Sequence, residues 1–120
     1  MSVMQGTVSG DGTPMITLTI AGQDWPAIID TGFNGDLELP ERLRKTLQTR
    51  YAGRVTSTLA GGQTIEENIY LVAFPFDGRT LVVEVTFVSG SQILIGTHLL
   101  RDYRLQIAFV SKSVLLERAR

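Results

Sequence analysis

The chain has 120 residues, enough for one domain that buries roughly two-thirds of its unfolded surface. It contains no cysteine, which excludes a disulfide framework, a thiolate metal site and a thiol nucleophile. Eleven basic residues against twelve acidic ones leave a net charge of -1 without a one-sign block, so no nucleic-acid partner is expected.

Met1 to Gly6 lacks the basic start and apolar stretch of a signal peptide. The best apolar run, Leu81 to Val88, is short and contains Glu84, so a soluble, cytoplasmic protein with no membrane partner is expected. Gly6 to Val8 and Met15 to Ile20 flank the turn-formers Ser9 to Gly12, which predicts a hairpin. A further turn at Ala21 to Asp24 leads into Trp25 to Ile29, an apolar strand that stops at Asp30-Thr31-Gly32. An aspartate directly after a buried strand, followed by a glycine that lets another molecule approach, is one way to present a catalytic carboxylate. The same tripeptide also suits a plain Asx turn at a strand end.

Phe33 to Asp36 reads as a loop and Leu37 to Leu39 as a brief extended piece. Pro40 to Gln48 is the predicted main helix, since Pro suits a first helical position and Leu39, Leu43 and Leu47 recur every four residues. Arg42, Arg44 and Lys45 read as its solvated face. Val55 to Tyr70 is a polar hairpin tipped by Leu59-Ala60-Gly61-Gly62-Gln63, either a mobile flap or an inert surface hairpin. Ile69 to Phe76 and Thr80 to Val88, joined by Asp77-Gly78, form a strong core hairpin signal. Gln92 to Gly96 is a second apolar run ending in glycine, and Thr97 to Tyr103 a short helix capped by Thr97. Leu105 to Val110 and Val114 to Glu117, around a turn at Ser111 to Ser113, complete the strands. The lone His98 reads as a surface or capping residue.

The order of Ile28-Ile29-Asp30-Thr31-Gly32, the glycine-tipped hairpin, and Leu94-Ile95-Gly96 with Thr97 to Leu100 resembles that of retropepsin-like aspartic proteases from about Trp25 to Phe109. The Asp-Thr-Gly-Phe form is similar to the bacterial branch. The resemblance implies an all-β closed barrel of the acid-protease type with one or two short helices, a single domain over residues 1–120, and a homodimer. It implies an aspartic endopeptidase acting on a peptide or protein substrate, with no metal or other cofactor. Asp30, Thr31 and Gly32 would be the catalytic residues; Phe33, Asn34, Leu59, Ala60, Gly61, Gly62 and Ile95 would line the substrate site. Such chemistry needs two carboxylates sharing a proton, and this chain has one Asp-Thr-Gly, so the second Asp30 must come from a second chain. Asp36 and Glu38, in a loop and a brief strand, and Glu84, in mid-strand, do not occupy a comparable frame.

Three departures stand out. Phe33 is large where the family usually has a small residue, the positions that carry an acid and an arginine in many retroviral members hold Asn34 and Thr97, and Val114 to Arg120 extends past the usual last strand. The first two motivate an alternative function, a catalytically weak or inactive dimeric peptide-binding module on the same scaffold.

Overall fold

Ten β-strands and a short 3-10 helix make up residues 2–120, the part described by the computed structural model. An antiparallel meander of β1 (Val3–Val8), β2 (Pro14–Ile20) and β3 (Gln23–Ile29) leads to Asp30. After the Asp30 loop come β4 (Leu37–Pro40), the 3-10 helix Glu41–Thr46, and the antiparallel run of β5 (Thr49–Thr58), β6 (Thr64–Phe76) and β7 (Arg79–Val88). The chain then returns through β8 (Ile93–Ile95) and ends in the hairpin of β9 (Tyr103–Ala108) and β10 (Ser113–Arg118).

All ten strands belong to one sheet, in the order β5-β6-β7-β4-β8-β3-β2-β1-β10-β9. Period-two alternation sends Ile16, Leu18 and Ile20 of β2, Phe74 and Phe76 of β6, and Val83 and Val85 of β7 into the core. The β6–β7 hairpin turns at Asp77-Gly78 with φ of 56° and 75°, the pair of positive values that a two-residue turn between right-twisted strands requires. The terminal strands pair within the chain, Met4 opposite Leu116, so the extended C-terminus is used as β10 beside β1.

The expected closed barrel is not found. Among the described residues the sheet stays open, with β5 and β9 as edges paired on one side only. Exposed Arg50 and Arg54 on β5 and Arg104 on β9 blunt those edges with charge. Both expected helices also differ. Pro40 is extended (φ -58°, ψ 139°) and pairs with Val88 in β4, so Leu39 belongs to a strand, Leu43 to the 3-10 helix and Leu47 to the segment after it. Their spacing of four arises across three kinds of structure. Residues 97–102 form consecutive turns, with three-residue bonds from Arg101 N–H to His98 O (3.4 Å) and from Tyr103 N–H to Leu100 O (2.9 Å), and the chain is already extended as β9 at Tyr103, which leaves no room for a continued helix. The polar hairpin begins earlier than expected, at Thr49, with a bulge between Tyr51 and Gly53. Of the basic cluster, Arg42 and Arg44 are exposed, yet they lie over the rings of Trp25 (4.7 Å) and Tyr70 (4.4 Å).

Phe74 is completely buried near the C-terminal end of β6. Phe74→Ala is expected to lower unfolding free energy by about 3–5 kcal/mol in urea titration, and a loss under about 1 kcal/mol would mean that β6 does not face a packed core.

Candidate active site

Asp30 sits immediately past β3, and its placement follows from β8. Ile29 pairs with Ile95 in a parallel ladder, which continues as Asp30 N–H donates to Ile95 O at 3.0 Å. The aspartate is thus held by an extension of the sheet. Its Oδ1 accepts the Gly32 N–H at 3.0 Å, and its carbonyl accepts the Phe33 N–H at 3.1 Å. The structure shows the Asx turn, and this turn fixes the direction of the carboxylate. Asp30 is half-buried while Thr31, Gly32 and Asn34 around it are exposed. The Phe33 ring folds back over Gly35 within its own loop, which is how a large residue is accommodated there.

The segment after β8 is bonded to the Asp30 loop along its length. Gly96 N–H donates to Asp36 O (3.0 Å), Thr97 N–H to Phe33 O (2.8 Å) and His98 N–H to Gly35 O (3.2 Å). A Cβ on Gly96 would be driven into the Gly35 carbonyl, so only glycine permits this approach. Ile95, expected to line the substrate site, is completely buried under it, because β8 alternation directs it to the core. Its part is to support the loop.

Asn34 and Thr97 remain neighbours without charge: Thr97 Oγ1 donates to Phe33 O at 3.4 Å and lies 3.5 Å from Asn34 Oδ1. A side-chain contact between the two segments lies further along both. Asp36, only 6% exposed, accepts the Glu84 N–H through Oδ2 (2.9 Å) and the His98 Nδ1–H through Oδ1 (2.6 Å). Sequence reasoning missed both residues, setting Asp36 aside as loop and His98 as surface or cap, since nothing local links positions 62 residues apart.

Glu38 was also set aside. It is half-buried between the buried Leu37 and Leu39, on the opposite face of β4. Burial, then the charge of Glu67, then that of Asp30 push its carboxyl above the ordinary carboxylate range, so a second acid lies within electrostatic reach of Asp30. An acid in an otherwise apolar strand was the available signal. Among the described residues no three His, Asp or Glu side chains converge as a metal site.

The predicted flap is the outer part of the β5–β6 hairpin. Its tip is closed by Leu59 N–H to Gln63 O (2.7 Å) and Gly62 N–H to Leu59 O (2.9 Å), and Leu59, Ala60, Gly61 and Gly62 are all exposed. The β6–β7 ladder begins only at Tyr70, so the outer arms pair with each other and with no third strand.

Two consequences are measurable. Gly96→Ala is expected to cost about 1–3 kcal/mol in denaturant unfolding, and wild-type stability would contradict so close a passage. For Glu38 a raised folded pKa means that ionisation penalises the folded state. The penalty is absent below the ordinary value of 4.5 and grows as pH rises through the raised one. Glu38→Gln is therefore expected to raise Tm at pH 7 and to lose that advantage below pH 4.5; an advantage independent of pH would show that charge is not its source.

No protein-family model matches the sequence, and no curated protein matches it. Solved structures do match. A retropepsin-like aspartic protease from Rickettsia conorii superposes with a TM-score of 0.66 at 15% identity, covering 95% of this chain and 89% of that one. A foamy viral protease-reverse transcriptase, solved with an RNA/DNA hybrid, gives 0.56 at 18% identity over 88% of this chain and 13% of that one. No helix among the described residues is long and apolar enough to cross a membrane. With its open ten-stranded sheet and the Asp30 loop tied to the β8 segment, the chain has the retropepsin-like aspartic protease fold.

Proposed function

We propose that the protein is an aspartic endopeptidase whose active site forms when two copies bring their Asp30 side chains together on a twofold axis. The observation that carries this is the presentation of Asp30: one oxygen is fixed by the Gly32 N–H, the backbone is anchored to β8, and the surrounding Thr31, Gly32 and Asn34 face outward. A single such loop supplies one carboxyl group, which is half of what the chemistry requires. Two carboxyl groups in contact hold one proton between them, because both cannot ionise at that distance. The ionised one takes a proton from water as the water attacks the peptide carbonyl, while the protonated one donates to the carbonyl oxygen. Proton transfer to the amide nitrogen then releases the two products, with no covalent intermediate.

Other residues follow from this placement. The Thr31 hydroxyl would bond across the axis and keep the two loops in register, and Gly32 would leave room for substrate backbone. Phe33 and Asn34 would border the cleft, with Ile95 beneath. Leu59, Ala60, Gly61 and Gly62 would close over an extended peptide, and their weakly packed arms make that motion inexpensive. The sheet edge at β9, charged at Arg104 but paired on one side only, would be the strand surface offered to a second copy.

The test is digestion of a diverse peptide pool by the wild type and by Asp30→Asn, read by mass spectrometry with sedimentation in parallel. Cleavage by a dimeric wild type that falls by roughly 10²–10⁴-fold in an equally dimeric mutant is the expected result. A folded dimer that binds peptides and cleaves none would instead make the chain a binding module, and a protein monomeric at high micromolar concentration would remove the shared dyad.

A further inference from the structure

We infer that Asp36 and His98 are positioning residues for Asp30, a clamp of buried carboxylate and half-exposed imidazole that holds the Asp30 loop against the β8 segment; the inference rests on the proteolytic reading above. The backbone bonds from Gly96, Thr97 and His98 tie residues 33–36 to 96–98, and all of them are amide-to-carbonyl contacts between these two segments alone. The Asp36 side chain adds a tie of another kind: it is nearly inaccessible, with 6% exposure, and a buried carboxylate is stable only when its oxygens are bonded.

Each oxygen has a separate anchor. Oδ2 takes the Glu84 amide of β7, which belongs to the rigid sheet, and Oδ1 takes the His98 imidazole at 2.6 Å. Asp36 therefore bridges β7 to the segment after Gly96, and the Asp30 loop is caught between them. His98 is oriented in turn: its amide donates to Gly35 O, and its carbonyl accepts from Arg101 Nη1 at 2.7 Å. Its side chain is 52% exposed, so its removal opens no core cavity. What removal does is leave Oδ1 without its imidazole partner, so the tie from Asp36 to the segment after Gly96 is lost and the loop is freer to shift. A displacement of about 1 Å at a reacting group costs on the order of 100-fold in rate.

The test compares the full-length wild type with His98→Ala and His98→Asn, since the asparagine amide can place an N–H where Nδ1 stands. Steady-state cleavage and amide hydrogen exchange are read on all three. His98→Ala is expected to lower kcat by about 10–100-fold with KM changed by less than about threefold, and to speed exchange in residues 30–36 while β6 and β7 stay protected. His98→Asn should recover both. The inference is overturned by unchanged kcat and loop exchange in His98→Ala, by exchange that rises throughout the sheet, or by failure of the asparagine to restore either property. A wild type that cleaves nothing would count against the proteolytic reading alone, and the loop exchange would then decide the positioning role by itself.

Discussion

Gly96 runs so close beneath Gly35 that no side chain fits between the two backbones, and the rest of the site depends on that passage. It lets the segment after β8 offer three successive amides to the carbonyls of the Asp30 loop. It also follows directly from sheet order, because β8 lies between β3 and β4 and so touches the strands on both sides of the loop. Asp30 is thereby fixed at both ends: by the parallel ladder before it and by the returning β4 after it. A carboxylate held on sheet rather than on a free loop keeps its direction with little further loss of entropy.

Charge is distributed around this frame unevenly. The overall balance of -1 gives no hint that Asp30, Asp36 and Glu38 lie within nine residues of one another. Each has a different environment. Asp36 is buried and bonded, Glu38 is half-buried with its carboxyl pushed up, and Asp30 stands at the rim with one oxygen bonded to its own turn. Similar acids thus sit in three different states of burial and bonding, because desolvation and hydrogen bonding separate them. The β5–β6 tip, by contrast, is exposed and pairs with no third strand, so it lacks the anchoring that the Asp30 loop has.

Local signals in the sequence were dependable where the structure they describe is local. Alternation in Met15 to Ile20 and the Asp77-Gly78 turn predicted β2 and the β6–β7 hairpin, since both depend on neighbours within a few residues. The Asp30 and Gly96 motifs were likewise legible, and their order agreed with the fold even though the two solved structures described above are only 15% and 18% identical. The helix expected over Pro40 to Gln48 failed because Leu39 is claimed by β4, which tertiary pairing decides. Sheet closure failed for a similar reason: twist and register accumulate over all ten strands, and no single stretch records them. The Asp36–His98 contact was beyond reach because each residue looks ordinary until the two segments are laid side by side.

Subunit mixing addresses the shared dyad most directly. Wild type and Asp30→Asn chains, mixed in equal amounts and allowed to exchange, should yield about one-quarter of the activity of the same total concentration of wild type, because only dimers with two aspartates cleave. Activity near one-half, falling in proportion to the wild-type fraction, would mean that each chain carries a complete site and that the Asp30 pair is not the catalytic unit.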